Sequence, residues 1–317
     1  LAINHDSQAY IFIDKNEDGS RLDRVLLRHC GQQQRPLIMR LIRKGNIRVN
    51  GKRCQAQSRV ACEDRIFIPA SLRNNEETAL ITARPLRHMP DILLEDEGLL
   101  ILNKPAGMVV HGGSGHQDGL IEQLKAHYQS DDLRLAHRLD RDTSGCLLLA
   151  RQLPALRDMT EQFRLHLAKK TYFAWVEGHP FPAAGHIASG LSKGHLQGGE
   201  RMVIDDDDGK HATTDFQTVV RALWHGNPIT LVALQPHSGR THQLRVHMQQ
   251  EGHAILGDPK YADADALKRY RHNGGRGLAL HAWRLRFTHP YRKHAVEVHA
   301  PWPDSWSPIT QHLIICP

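Results

Sequence analysis

Residues 136–150, AHRLDRDTSGCLLLA, set the hardest constraint on what this chain can become. Cys146 to Leu149 form an apolar run of strand length, so that end must be buried. The other end crowds His137, Arg138, Asp140, Arg141 and Asp142 into six positions. Thr143, Ser144 and Gly145 are turn formers that carry the polar loop straight into the strand. A charged loop tethered to a buried strand holds a carboxylate at a fixed place. The blander alternative is a solvated loop whose acids and arginines merely pair with one another.

A chain of 317 residues has room for two domains, one with a substantial core. No apolar run approaches the ~18 residues of a membrane span. The N-terminal LAINHDSQAYIFID lacks the basic start and apolar core of a signal peptide. Leu1 is not an initiating methionine, so a few residues are expected ahead of it. The five cysteines contain no CxxC pair, which argues against a disulfide framework or zinc site and suits a reducing cytoplasm. The 23 histidines include no HExxH or similar cluster, and His242 and His247 are five apart, on different faces of a helix. No metal site is expected.

The net charge of +7 is concentrated. Between Gly31 and Val60 lie Arg35, Arg40, Arg43, Lys44, Arg48, Lys52, Arg53 and Arg59, with no Asp or Glu among them. This island carries more positive charge than the whole chain has in excess, and it suggests a polyanion-binding surface. Its alternative role is to solubilise a helix face. Ser20 is placed to cap a first helix bearing Leu22, Val25 and Leu26, with Asp23 in the first turn. A second helix is expected over Pro36 to Lys44, with Pro at its start and Gly45 past its end. Leu37, Ile38, Leu41 and Ile42 give it an apolar face, and Arg40, Arg43 and Lys44 lie largely opposite. Ile47 and Val49 then lead into Asn50-Gly51, a strong hairpin-turn signal. Two helices followed by a small sheet, with RKGNIRVNGKR across the junction, resemble the S4 RNA-binding domain over residues 19–70. The run has no aromatic residue for stacking, so RNA would be held through phosphates. Residues 71–90 read as a linker.

From residue 91 the pattern alternates strands and helices. Ile92 to Glu95, a turn at Asp96–Gly98 and Leu99 to Asn103 read as a hairpin or a pair of strands. HGGSG at 111–115 fits neither a phosphate-loop nor a serine-nucleophile pattern. Asp118 is placed to cap a helix with Leu120, Ile121 and Leu124. Pro154 opens another with Leu156, Met159 and Phe163 on its core stripe. Residues 169–178 alternate as a strand containing Tyr172. Four aspartates at 205–208 suggest the tip of an exposed hairpin. A strand over Ile229 to Leu234 runs into HSGRTHQLRVHMQQEG, where Thr241 is placed to cap a helix with Leu244, His247 and Met248 inward.

HRLDRDTSG resembles the signature of the pseudouridine synthases that isomerise uridine in ribosomal and transfer RNA. LNKPAGMVVHGGSG, GRTHQLRVH, GDPKYA (with Ala262 where the family has Gly) and LALHAWRLRFTHP extend the resemblance over nearly the whole chain. It is nearest to the C/D type that acts on the large ribosomal subunit. The resemblance implies an α+β fold: the S4 module, then a mixed, mainly antiparallel catalytic sheet with flanking helices over 91–317. It implies that Asp140 is the catalytic carboxylate, that Tyr172 stacks on the base and helps remove its C5 proton, and that Arg240 pairs with Asp140. It places Leu280 at the family's pocket-lining position. The target uridine must be flipped out of its stack, and Arg138 is the natural occupant of the vacated space. The implied reaction uses no cofactor: the N-glycosidic bond is cut, the base turns, and C5 rejoins C1′. The expected partner is large-subunit ribosomal RNA or its assembly precursor, with the protein a cytoplasmic monomer and no membrane involved. Two alternatives are a catalytically silent RNA-binding or ribosome-assembly protein on the same fold, and an N-glycosidase that releases uracil.

Overall fold

In a computed structural model the chain divides into two compact units, residues 1–82 and 83–317. The described residues are 9–31, 34–73, 86, 88–112, 119–197, 200–205 and 209–316. Most of the expected linker, the glycine run at 113–115, Asp118 and Asp206–Asp208 lie outside them.

The first unit is a four-stranded antiparallel sheet in the order Tyr10–Phe12, Arg65–Phe67, Arg48–Val49, Lys52–Arg53. The helices Leu22–Cys30 and Arg35–Lys44 lie in the same unit. Both are amphipathic, and Leu22, Val25, Leu26, Ile38 and Ile42 enter one core with Ile11 and Ile13. The core therefore draws on residues upstream of the start expected at 19. Asn50 and Gly51 both take positive φ, the geometry a two-residue hairpin turn requires. Asn50 seals the turn by donating to Asp64 (2.7 Å) and accepting from the Arg65 amide (3.0 Å). Gly45 ends the second helix in the left-handed region (φ 73°). Ser20 does not cap the first helix. Arg21 takes the N-cap position, and its guanidinium grips Asp23 at 2.8 and 3.1 Å. Ser20 is instead drawn into backbone pairing with Val60.

The second unit is built on a large mixed sheet. Its strands run Glu200–Asp205, Ala184–Gln197, Lys210–Trp224, Asn227–Pro236, Lys169–Glu177, Leu280–Thr288, Ser144–Ala150, Leu99–Lys104, Ile92–Glu95. Among the described residues every neighbouring pair is antiparallel except Leu280–Thr288 with Ser144–Ala150. The mixed, mainly antiparallel sheet is the α+β architecture expected. Of the four aspartates expected at a hairpin tip, only Asp205 falls within the described residues. Lys210–Trp224 pairs with the first half of Ala184–Gln197 and Glu200–Asp205 with its second half, the two registers meeting at Leu191.

Ser144–Ala150 is buried along all seven residues. Leu147 and Leu149 enter one core with the helix Leu120–Tyr128. Cys146, Leu148 and Ala150 enter another with Ala155 and Met159 of the helix Leu153–Arg164. Burial on both faces explains a continuous apolar run where a half-exposed strand would alternate. Gly145, the second residue of the strand, has φ 107°, and a Cβ there would lie 2.3 Å from the Ala282 carbonyl oxygen. Only glycine admits this parallel pairing with Ala282.

Candidate active site

The loop ahead of Ser144–Ala150 is held from three sides. The Leu148 amide donates to His137 Nε2 (3.0 Å), so the ring must be unprotonated at that nitrogen. Burial, with the charge of Lys170, pushes the His137 pKa down to about 3 and keeps the ring neutral. The Thr143 amide closes a turn on the Asp140 carbonyl. Lys104 is fully buried, and its Nζ donates to the carbonyls of Pro105, Met108 and Arg141 at 2.8–2.9 Å. Three acceptors engage all three ammonium protons. Burial nonetheless draws the Lys104 pKa down to about 7, against the upward pull of Asp142 and Asp140. KPAG is thus a buried cation with its own carbonyl socket, and one wall of that socket is the Asp140 loop.

Arg138, Asp140, Tyr172, Arg240 and Leu280 line one cavity, so the structure brings all five expected residues together. Asp140 keeps 19% of its side chain exposed, while Tyr172 and Leu280 are buried. Burial, followed by the negative charge of Asp140, raises the Tyr172 pKa and keeps the phenol protonated.

The arginine facing Asp140 differs from the expected one. Arg240 is exposed on the loop before the helix Gln243–Gln250. The guanidinium against Asp140 is that of Arg245, with Nη1 3.9 Å from Oδ2. The loop geometry supplies the reason. His242 takes a left-handed N-cap (φ 55°), so Thr241 does not cap the helix, and everything ahead of that turn remains outside. Arg245, one turn further on, is 3% exposed. Its other nitrogens make a bidentate pair with Asp258, both contacts at 2.7 Å, and Asp258 is wholly buried. Burial opposes the guanidinium charge, but the Asp258 hydrogen bonds and charge, with Asp140, outweigh it and raise the Arg245 pKa. The Tyr261 ring lies 5.1 Å from Arg245 Cζ, and its hydroxyl bonds His242 Nδ1 at 2.8 Å.

This assigns structural work to GDPKYA. Gly257 (φ 73°) lies so close to the Gly277 carbonyl that a Cβ would sit 1.9 Å from it. Asp258 beside it anchors Arg245 and accepts from the amides of Lys260 and Tyr261. Ala262 is not among the positive-φ residues, so the methyl in place of the family's glycine is accommodated. Arg245 and Asp258 both lie within recognised motifs, but the motifs are separate in sequence, which hides their pairing. The signal that could have found it is an arginine on a helix whose first six residues are otherwise core. An inward arginine needs an acid.

Lys170 also lines the cavity; burial draws its pKa down to about 8, and its Nζ donates to the Ser238 carbonyl. The seven arginines and lysines expected to bind RNA, Arg35, Arg40, Arg43, Lys44, Arg48, Lys52 and Arg53, are all exposed on the first unit.

The family model described as RNA pseudouridylate synthase matches residues 98–250. Ribosomal large subunit pseudouridine synthase C of Haemophilus influenzae is 38% identical over 316 residues, covering 98% of this chain and 97% of that one. The protein of the same name from Escherichia coli K12 is 37% identical, covering 96% of each. Among solved structures, human RNA pseudouridylate synthase domain containing 1 aligns with a TM-score of 0.58 at 26% identity, over 70% of this chain and 87% of that one. Human RNA pseudouridylate synthase domain containing 4 aligns with a TM-score of 0.55 at 27% identity, over 70% and 93%. Near-full-length similarity at this identity, on a chain whose HRLD loop, buried strand and cavity form one unit, places it in the RNA pseudouridylate synthase family.

Proposed function

We propose that this chain isomerises uridine to pseudouridine in large-subunit ribosomal RNA, with Asp140 as the catalytic carboxylate. The observation that carries the reading is the line Asp140–Arg245–Asp258. A half-shielded acid faces a buried arginine whose orientation is locked by a second, wholly buried acid. Such a locked cation beside Asp140 favours the charged form of a carboxylate and holds its attraction in one direction. An ionised carboxylate serves the electron-poor anomeric carbon as nucleophile or as base, much as a glycosidase carboxylate does.

Tyr172 and Leu280 form the buried part of the cavity and suit the two faces of a flipped base. A protonated phenol there is placed to stack and to exchange a proton at C5. Arg138 is exposed on the Asp140 loop and suits the space that the flipped base leaves. Arg240, also exposed, takes on a backbone-phosphate role in place of the expected pairing with Asp140. The basic face of the Arg35–Lys44 helix and the Arg48–Arg53 hairpin add phosphate contacts that fix position without reading sequence.

Among the described residues no helix is long and apolar enough to cross a membrane. We place the protein in the cytoplasm as a monomer acting on ribosomal RNA or its assembly precursor. Residues 19–70 serve as the S4 module and 91–317 as the catalytic domain. The deciding experiment maps pseudouridine in large-subunit RNA from cells with and without the gene, and repeats it with the Asp140→Asn variant. Sites lost with the gene and not restored by the variant support the reading. An unchanged map would leave the chain an RNA-binding protein on this fold, and free uracil in place of modified RNA would make it an N-glycosidase.

A further inference from the structure

A second constellation lies at the root of the cavity loop, and the reaction above does not use it. His186 on Ala184–Gln197 stands directly opposite Asp215 on Lys210–Trp224 in the strand register. His237 follows the end of Asn227–Pro236, held in line by its amide donating to the Thr213 carbonyl (2.9 Å). Three strands thus place two imidazoles on opposite oxygens of one carboxylate. His186 Nδ1 lies 2.6 Å from Asp215 Oδ1, and His237 Nε2 lies 2.6 Å from Oδ2. One donor atom from each residue falls within 4.8 Å of the others.

We propose that His186, Asp215 and His237 form a divalent transition-metal site of the zinc class, with its outward coordination position open to solvent. Zinc takes imidazole nitrogen and carboxylate oxygen at ~2.0–2.2 Å in a tetrahedral array, which puts ligand atoms roughly 3.3–3.5 Å apart. Two of the present spacings are 2.6 Å and all lie within 4.8 Å, so side-chain shifts of about 1 Å bring the three atoms onto one ion. The side chains are 56%, 47% and 41% exposed, so rotamer adjustment meets no packed core, and a fourth ligand can enter from water. Two nitrogens and one oxygen match zinc-class ions, whereas calcium and magnesium require mostly oxygen. Backbone pairing fixes the Cα positions, which preorganises the set.

The position gives the site a use. His237 immediately precedes Ser238, Gly239 and Arg240, all of which line the cavity. A bound ion would pin the root of that loop to two neighbouring strands. It would also present a positive charge, with an exchangeable water, beside the surface that RNA phosphates approach.

The test uses the full chain without an affinity tag and zinc ion as the probe, in competition with a chromophoric chelator. One equivalent is expected to bind. Each of His186→Gln, Asp215→Asn and His237→Gln should weaken binding by at least about tenfold, since even outer-shell changes cost 10–100-fold. A second measurement needs no variant: zinc should protect His186 and His237 from carbethoxylation by diethyl pyrocarbonate, read by peptide mass spectrometry. Absence of stoichiometric binding, undiminished affinity in any of the three variants, or undiminished labelling of either histidine would overturn the site. None of these readouts depends on RNA turnover, so they stand apart from the proposed isomerase activity.

Discussion

At the scale of single residues, the site is a division of labour between two acids and two arginines. Asp140 is accessible and Asp258 is not; Arg240 is accessible and Arg245 is not. The exposed members suit chemistry and RNA contact, and the buried pair suits orientation. Asp140→Asn keeps the shape and removes the charge. It should abolish tritium release from 5-labelled uridine RNA while leaving RNA affinity near the parent's, and turnover above background would remove Asp140 from the mechanism. Arg240 and Asp258 separate by a second experiment. Asp258→Asn strands a buried guanidinium, and breaking a buried pair costs about 3–5 kcal/mol. It should lower the melting temperature and the single-turnover rate together. Arg240→Ala should leave the melting temperature and the saturating rate close to the parent's and weaken RNA binding. If Arg240→Ala instead lost the rate at saturating RNA, the assignment of roles would be reversed.

At the scale of elements, two segments carry the argument. The first is the turn into Ser144–Ala150. Gly145→Ala introduces both a strained φ and a collision with the Ala282 carbonyl. Strain of this kind costs on the order of 1–3 kcal/mol, and the displaced strand start moves the Asp140 loop. Chemical denaturation should show the loss of stability, and single-turnover rates should fall even where the variant is fully folded. The second is the Arg35–Lys44 helix with the hairpin after it. Arg40, Arg43, Lys44 and Arg48 project from it into solvent. Removing one phosphate interaction should flatten the log–log salt dependence of binding by ~0.7 on single-stranded RNA or ~0.9 on duplex. A fourfold Ala variant should therefore flatten it by roughly 3, with the saturating rate preserved. An unchanged slope would mean that the island only keeps the helix soluble.

At the scale of the whole molecule, three shielded histidines contribute to the response to acid. Burial lowers the His137 and His242 pKa values to about 3 and that of His281 to about 4, so all three are neutral when folded. In the unfolded chain they titrate near the ordinary value, ~6.5. Between those limits the unfolded state binds more protons. The stability these rings contribute is therefore complete above about pH 6.5 and declines as pH falls toward 4. Each contributes up to roughly 1.4 kcal/mol per pH unit to that slope. Calorimetry from pH 7.5 to 4 should show a falling melting temperature across this window, and a flat profile would mean that the rings are hydrated and free to titrate.

Local patterns along the chain were enough for much of this. The Asn50-Gly51 turn, the helix Arg35–Lys44 closed by Gly45, the hairpin around Asp96 and the buried run at Cys146–Leu149 follow from residue chemistry a few positions apart. Short-range sterics and periodicity decide such features. The motif string also identified the residues around the cavity, because loops that converge on one site each carry their own signature. Tertiary structure decided what depends on approach between distant segments. It put Arg245, not Arg240, against Asp140, because a left-handed turn at His242 leaves one arginine outside and buries the other. It gave Lys104 a socket partly built from the Arg141 carbonyl, 37 positions away. It gathered His186 and Asp215 from two paired strands and His237 from just past the end of a third, with no spacing along the chain to mark them. Pairing energy between groups brought together by folding depends on their distance and burial in space, and one-dimensional order encodes neither.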